Sequence, residues 1–283
     1  MMRMTRAAAI LIAIIASACG GSNPVAPRTP SSPVPPQAAT STLFGYVSDT
    51  AFRALSGVRV DVLDGPQAGL SLTSDSSGQF SFSGTFETPT TIRLSKEHYV
   101  TRTETTHTWS NGRPYAIVEL ELSDPPVNLA GNYSLTVTAA SSCGNLPAEV
   151  QTRTYTATIA AASDPSAPTG TAFTLTVGGG SFVSGHDHIQ IGVAGNTVGL
   201  SVYSGEDYGL VEQLDPTRFL AIGAYGTGVA EGSPATTLTA PLSGDIVYCA
   251  TQTAPGWNGN CAAPRVAFES CSSDTHQLRL ERR

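Results

Sequence analysis

Positive charge is scarce in this sequence of 283 residues. Lys96 is the only lysine, and the 15 basic residues are outnumbered by 22 acidic residues, which gives a net charge of −7. The arginines are scattered along the chain, whereas binding to the phosphates of nucleic acid requires clustered basic side chains. The composition therefore argues against nucleic acid as a partner, and its mild acidity is typical of an exported protein.

Charged and aromatic residues are also few, at 13% and 7% of the chain, whereas the sequence contains 28 Gly and 19 Pro. These values exclude a coiled coil and a charge-rich disordered protein. No segment has the spacing of an amphipathic helix, and apolar residues after position 41 recur at every second position, which is the spacing of half-buried strands. The pattern predicts an all-β protein.

Recognisable catalytic motifs are missing as well. The sequence has no Gly-x-Ser-x-Gly elbow and no Ser-x-x-Lys pair, and none of its five histidines is followed by Glu three positions later, as zinc carboxypeptidases require. His186 and His188 lie on the same side of a predicted strand, but no third metal ligand accompanies them. A hydrophilic turn accounts for this pair equally well. We predict no enzymatic activity, no cofactor and no bound metal.

The first 18 residues have the organisation of an export signal. Arg3 and Arg6 provide a positive head, and residues 7–16 form an apolar core that is too short to span a bilayer. The sequence Ala-Ser-Ala-Cys at residues 16–19 then resembles the lipobox of bacterial lipoproteins, although that family usually has Leu where Ala16 stands. The resemblance implies cleavage before Cys19 and acylation of its thiol, which would anchor the protein in a lipid bilayer. An ordinary signal peptide with an incidental Cys19 is the alternative.

The residues after Cys19 lead to two further predictions. Gly20 is not acidic, and by resemblance to the sorting rules of Gram-negative lipoproteins this implies the outer membrane, on either of its faces. Residues 19–41 are rich in Pro, Ser and Ala and lack periodic apolar residues. Such a stretch cannot bury a core, so we expect a partly extended tether that holds the following domains away from the lipid.

Residues 42–122 have the alternation of a β-sandwich, with turn residues every eight to twelve positions. Val58, Val60 and Val62 alternate with Arg59 and Asp61, which predicts one buried face and one solvated face for this strand. Four segments of this region carry a resemblance to a known family. They are residues 45–49 (GYVSD), 55–60 (LSGVRV), 73–80 (TSDSSGQF) and 95–99 (SKEHY).

In this order, the four segments resemble the carboxypeptidase regulatory-like domain. The resemblance implies a seven-stranded, transthyretin-like sandwich that is related in shape to starch-binding-like folds. Domains of that family serve as accessory modules, spacers or adhesion units, and they carry no catalytic residues of their own. His98 stands where the family commonly has Gly, so we expect the turn at this position to differ.

Residues 127–283 contain eight to ten further alternating segments separated by Gly-rich turns, which predict an antiparallel β-barrel or a closed sandwich. Gly131-Asn132-Tyr133 opens the first of these strands, and arginines lie near the end of the last. In these features the domain resembles lipocalin-like barrels, and the resemblance implies an interior apolar pocket for a small ligand. A barrel filled by its own side chains is the alternative.

Four cysteines lie in this second region, and an even number in an exported chain favours disulfides over free thiols. They are Cys143, Cys249, Cys261 and Cys271, with no Cys-x-x-Cys spacing that would indicate zinc. Three connectivities are open. We prefer Cys143–Cys271, because the first and last strands of an up-and-down barrel pair antiparallel, and this places the residue after the first strand near the residue before the last. Cys249 would then pair with Cys261.

Aromatic side chains are the best candidates for a binding site. Trp109 and Tyr115 flank the hairpin around Asn111-Gly112, and Trp257 lies in the loop predicted between Cys249 and Cys261. An exposed aromatic ring can stack on the apolar face of a sugar while neighbouring polar groups bond its hydroxyls. The alternative is structural, with Trp109 covering an edge of the sandwich and Trp257 filling the loop.

These observations predict a non-enzymatic, envelope-anchored lipoprotein that acts as a binding or adhesion module. Its expected partners are the lipid bilayer, through acylated Cys19, and a glycan or an envelope protein. Carbohydrate is the preferred ligand class because the first fold is related to sugar-binding sandwiches, although a fold alone does not determine function. The alternatives are a structural display protein without a small ligand and a lipocalin-like carrier of a small apolar ligand.

Overall fold

The computed structural model describes residues 41–86, 89–163, 167–204, 207–251 and 265–283. Cys19, Trp257 and Cys261 lie outside these residues. The described part is almost entirely β-structure, which confirms the predicted all-β class. Its one helix, α1, has four residues, so no described helix has the length or the apolar character needed to cross a membrane.

The first eight strands belong to the region predicted as a sandwich. They are β1 (Ser41–Asp49), β2 (Arg59–Val62), β3 (Ser71–Thr73), β4 (Gln79–Gly84), β5 (Thr91–Ser95), β6 (Arg102–Thr105), β7 (His107–Thr108) and β8 (Pro114–Leu120).

These strands form two four-stranded sheets with the orders β4-β1-β8-β7 and β3-β2-β5-β6. Strands β1 and β8 run parallel, and the other pairs are antiparallel. Both sheets contribute apolar side chains to one core, so the expected sandwich is present. Among the described residues it has eight strands rather than seven, because the hairpin around Asn111-Gly112 adds the two-residue strand β7 at a sheet edge.

The alternation of β2 gives the predicted buried face, since Val58, Val60 and Val62 are at most 2% exposed. The prediction of a solvated opposite face is wrong for Asp61, which is also buried. Its carboxylate accepts hydrogen bonds from Nε of Arg59 at 2.8 Å and from Nη2 of Arg93 at 3.0 Å. Burial opposes ionisation of Asp61, but the bonds from Arg93 and Arg59 hold its pKa below the ordinary value.

The remaining strands belong to the second region. They are β9 (Gly131–Thr138), β10 (Thr152–Ala161), β11 (Ala172–Gly178), β12 (Phe182–Ala194), β13 (Thr197–Ser201), β14 (Tyr203–Ser204), β15 (Asp207–Tyr208), β16 (Leu210–Asp215), β17 (Arg218–Glu231), β18 (Thr237–Thr251) and β19 (Arg265–Arg282), and α1 (Ala148–Gln151) precedes β10.

Eight strands close into an antiparallel barrel in the order β9-β10-β11-β12-β13-β17-β18-β19, with β19 pairing back to β9. Strand β16 continues the position of β13, because both lie between β12 and β17. The prediction of a barrel whose first and last strands pair antiparallel is therefore confirmed. Strands β14 and β15 form a separate two-stranded hairpin.

The barrel interior is packed with apolar side chains. Leu135, Leu175 and Leu200 are at most 1% exposed, and the inward residues of all eight strands belong to one continuous cluster. An eight-stranded barrel is just wide enough for its own side chains to fill it. The packing agrees with the filled barrel and leaves the interior pocket of a small-molecule carrier without support.

The predicted disulfide Cys143–Cys271 is present, with Cα atoms 5.6 Å apart. Cys271 lies within β19 rather than before it, because the last strand begins at residue 265. Cys249 is also disulfide-bonded. Its pairing with Cys261 remains a prediction, because Cys261 lies outside the described residues.

The connection between β9 and β10 covers one end of the barrel. Cys143, Leu146 and Val150 of this connection are buried in the barrel core. Nδ1 of His276 accepts a hydrogen bond from the Ala140 backbone N–H at 3.0 Å, and His276 is only 1% exposed. Burial lowers the pKa of His276, so its imidazole is held in the neutral form that can accept this bond. The disulfide and the histidine together hold the connection against the barrel.

At the opposite end, the guanidinium of Arg282 lies over the ring of Tyr133, 4.9 Å from its centroid. Nη2 of Arg282 donates to the Tyr133 hydroxyl at 2.7 Å, and Nε donates to the Ala235 carbonyl at 2.6 Å. The two features that resemble lipocalin-like barrels, a Gly-x-Tyr triplet and a terminal arginine, are thus in contact. They close the barrel where its first and last strands meet.

The sandwich and the barrel belong to one compact unit, residues 39–283, and the loop between β1 and β2 lies against the barrel. Thr50 Oγ1 donates to the Val193 carbonyl of β12 at 2.6 Å. A Cβ atom at Gly192 would lie 2.0 Å from the Thr50 carbonyl oxygen, and one at Gly199 would lie 2.1 Å from that of Ala51. These two paired glycines therefore allow the loop backbone to lie directly on the outside of the barrel.

Candidate functional site

Aromatic side chains gather on the outer face of the sheet β4-β1-β8-β7. Strands β1 and β8 pair in parallel, which places Phe44 beside Tyr115 and Tyr46 beside Ile117. Because side chains alternate along a strand, all four point away from the sandwich core. With Trp109, which follows β7, they form what we call the aromatic face: Phe44, Tyr46, Trp109, Tyr115 and Ile117.

The rings of the aromatic face contact one another. The rings of Trp109 and Tyr115 meet edge to face with centroids 5.2 Å apart, and Phe44 stacks with Tyr115 at 6.2 Å. The Arg113 guanidinium lies 5.0 Å from the Phe44 centroid. These contacts orient the rings relative to one another, which prepares them to receive a planar or apolar ligand surface.

The aromatic face is open to solvent. Trp109 is 50% exposed and Ile117 is 66% exposed. Together with the polar side chain of Gln79, the aromatic face lines a shallow hollow of about 270 Å³. Half of the Trp109 side chain is therefore open to solvent, while the rest packs against Tyr115 and Phe44 beside the edge strand β7.

A larger cleft lies between the sandwich and the barrel, with a volume of about 690 Å³. Tyr46, Phe52, Ile117 and Glu119 line it on the sandwich side. The barrel side comes from β12, β13, β17, β18 and β19, and includes Gln190, Ser201, Tyr225, Ser243 and Asp274. Tyr46 and Ile117 line both this cleft and the hollow beside Trp109, so the two spaces are adjacent.

On the barrel side, Tyr225 lines the cleft, and two further tyrosines lie beside it. Tyr225 is 57% exposed, and its ring lies 4.7 Å from that of Tyr203, which stacks in turn on Tyr208 at 6.4 Å. The Tyr203 hydroxyl donates to the Gly223 carbonyl at 2.9 Å. Burial raises the pKa of Tyr203 and of Tyr208, so both hydroxyls stay protonated and able to donate hydrogen bonds.

A buried charged group lies at the end of the barrel closed by the β9–β10 connection. Glu212 is 5% exposed, and it forms an ion pair with Arg153 and accepts a hydrogen bond from the Tyr155 hydroxyl at 2.8 Å. Burial is the main cause that raises the pKa of Tyr155. Each charge has a partner, and the group seals a barrel end rather than facing a cleft.

The structure brings two of the three predicted ligand-binding residues together. Trp109 and Tyr115 are in contact, whereas Trp257 lies outside the described residues. Sequence reasoning missed Phe44, Tyr46 and Tyr225. For the first two, the signal was the pair of aromatic residues at alternate positions of β1, on the side opposite Leu43 and Val47.

Other groups contact the two histidines of the predicted pair. His186 Nδ1 lies 2.6 Å from the Tyr208 carbonyl oxygen, and His188 Nδ1 lies 3.5 Å from Asp187. Within the described ranges, no three His, Cys, Asp or Glu side chains are grouped as a metal ion would require.

No family model matches this chain, and no curated protein matches it either.

Proposed function

We propose that this protein binds carbohydrate through the aromatic face of its sandwich, without catalysing a reaction. The observation that carries the proposal is the cluster of oriented and partly exposed rings of Trp109, Tyr115 and Phe44. Aromatic rings of this kind cover the apolar face of a sugar ring.

Polar side chains lie beside the aromatic face. Gln79 lines the same hollow as Trp109, and Ser81 and Arg113 line a neighbouring hollow that shares Phe44 and Gln79. An amide, a hydroxyl and a guanidinium together supply both donors and acceptors for sugar hydroxyls. A ligand with one apolar face and many hydroxyls fits this surface better than a wholly apolar ligand does.

The proposal places the protein in the bacterial cell envelope. Cys19 would be acylated and held in the lipid bilayer of the outer membrane, and residues 19–41 would act as the tether. The sandwich would then serve as the accessory or adhesion unit that its resemblance to carboxypeptidase regulatory-like domains implies. Radiolabelled palmitate incorporated into the wild type and lost in Cys19→Ala would support the anchor, and labelling that persists in the variant would contradict it.

A protein partner on the same face is the second candidate, because an exposed apolar surface also serves as an interface. In that case the protein would be a structural or display component of the envelope. The packed barrel interior gives the third alternative, a carrier of a small apolar ligand, no support.

The test is a binding screen of residues 39–283, the compact unit that holds both cores, against a panel of glycans and polysaccharides. Isothermal titration calorimetry reports binding without relying on the tryptophan that is removed, and Trp109→Ala deletes the ring at the centre of the proposed site. Saturable binding that Trp109→Ala reduces at least about tenfold would support the proposal. Absence of binding across the panel, or binding unchanged in the variant, would contradict it.

A further inference from the structure

The hollow beside Trp109 adjoins the cleft between the sandwich and the barrel. Tyr46 and Ile117 line it and also line the cleft between the sandwich and the barrel. The outward side chains of β8 follow this path in order, from Tyr115 through Ile117 to Glu119. At the rise of a β-strand, the four steps from residue 115 to residue 119 span about 13 Å, and the barrel side of the cleft lies beyond them.

The barrel side of the cleft carries the same types of side chain as the aromatic face. Tyr225 presents an exposed ring on the barrel side, next to Tyr203, as Trp109 and Tyr115 do on the sandwich. Gln190, Ser201 and Ser243 supply amide and hydroxyl groups between the rings. A run of rings alternating with small polar groups suits a chain of sugar units, each with an apolar face and a hydroxylated edge.

Charge restricts the class of sugar chain. Glu119 and Asp274 line the cleft, and no basic side chain is among the described residues that line it. The whole chain is acidic as well, at −7. In the cleft, an anionic polysaccharide would place its carboxylates beside Glu119 and Asp274, which disfavours binding there, whereas the basic Arg113 lies at the other end of the site beside Phe44. A neutral chain avoids this repulsion.

We infer that the ligand is a linear, neutral oligosaccharide or polysaccharide that runs from Trp109 on the sandwich into the cleft, where Tyr225 of the barrel holds its far end. This inference rests on the proposed carbohydrate-binding function and extends it. Both domains contact one ligand, and the docking of the loop at Gly192 and Gly199 fixes the distance between the two ends of the site. A single sugar unit is too short to reach both ends.

The experiment measures dissociation constants by isothermal titration calorimetry. The probes are linear glucose oligomers of two and of six units, with β-1,3, β-1,4 and α-1,4 linkages, and a galacturonic acid hexamer as the anionic comparison. The wild type is compared with Trp109→Ala, Tyr225→Ala and Tyr225→Phe. Val229→Ala is the matched control, because Val229 is 53% exposed on the same strand but lies outside the cleft.

The wild type should bind a neutral hexamer at least about tenfold more tightly than the dimer of the same linkage, and more tightly than the anionic hexamer. Tyr225→Ala should weaken hexamer binding about tenfold and leave dimer binding unchanged, whereas Trp109→Ala should weaken both. Tyr225→Phe, which keeps the ring, and Val229→Ala should resemble the wild type.

Equal affinity for dimer and hexamer, or hexamer binding unchanged in Tyr225→Ala, would overturn the inference. The proposed function would survive either result if Trp109→Ala still lost binding. Tighter binding of the anionic hexamer would overturn the assignment to a neutral chain. A synthetic peptide of residues 20–41 is titrated in parallel, because a Pro-rich segment can also dock against aromatic rings. Binding of this peptide with no oligomer bound would overturn both the inference and the proposed function.

Discussion

The barrel and the outer face of the sandwich use large apolar residues in opposite ways. In the barrel, Leu135 and Leu200 face inward and are at most 1% exposed. On the sandwich, Trp109 and Ile117 face outward and are at least 50% exposed. Burial of the first pair stabilises the fold, whereas the second pair gains little from folding and remains available to a ligand. Stability and binding are therefore assigned to different parts of the molecule.

The largest effect should come from the barrel core. Leu135→Ala removes a fully buried side chain and leaves a cavity, so the free energy of unfolding should fall by about 2–5 kcal/mol. Chemical denaturation measures this change. Leu63→Ala is the matched control, because Leu63 is 42% exposed, and it should change the free energy by only about 0.5 kcal/mol. Equal losses in the two variants would show that the barrel core is not tightly packed.

A second variant tests whether the sandwich and the barrel unfold together because the loop docks on the barrel. In Gly199→Ala, the new Cβ would lie 2.1 Å from the Ala51 carbonyl oxygen, so the docking loop must shift. We expect a loss of about 1–3 kcal/mol and separate unfolding transitions for sandwich and barrel. Gly144→Ala serves as the control, since its Cβ would meet nothing within 4 Å. A single transition at the wild-type temperature in calorimetry would contradict the expectation.

The stability contributed by the barrel end under the β9–β10 connection should depend on pH. Burial keeps the pKa of His276 below its ordinary value of 6.5, so the unfolded state takes up a proton at a higher pH than the folded state does. The contribution of His276 to stability is therefore complete above about pH 6.5 and declines as the pH falls below that value. Denaturation midpoints from pH 8 to pH 5 measure the decline.

His276→Gln keeps an amide oxygen that can accept from the Ala140 N–H but does not titrate, so its midpoints should depend less on pH than those of the wild type. His98→Asn is the control, because the side chain of His98 is 79% exposed. If the wild type and His276→Gln have the same pH dependence, His276 is not the responsible group.

The smallest effect on stability should come from the aromatic face. Trp109→Ala removes a half-exposed ring, so the free energy of unfolding should change by about 0.5 kcal/mol or less, even though binding is lost. Circular dichroism melting of the variant measures this directly. A loss as large as that of Leu135→Ala would mean that Trp109 supports the fold, and the division between core and binding face would fail.

Much of the fold could be predicted from local spacing. The alternation at Leu135, Leu175 and Leu200 correctly identified inward residues, because a strand directs successive side chains to opposite faces. The same rule failed at Asp61, since Arg59 and Arg93 bury its carboxylate through contacts between β2 and β5 that alternation does not report.

The candidate site was only half predictable. Trp109 and Tyr115 lie close in sequence and flank one hairpin, so their proximity followed from the turn. Phe44 reaches Tyr115 only because β1 and β8 pair in parallel. Tyr225 enters the cleft only because the barrel docks against the loop at Thr50. Neither contact could be predicted from the spacing of residues within one segment, because each joins segments that are distant in the sequence.

The sequence by itself determined that this is an all-β protein and which residues of most strands face inward, because these properties depend on a period of two residues. It favoured Cys143–Cys271 among three connectivities, and the structure decided that pairing. Tertiary structure alone decided which exposed rings lie together and that the sandwich and barrel share a cleft. The physical reason is that alternation is a local property of a strand, whereas the choice of neighbouring strands and of docking surfaces depends on how the whole chain packs.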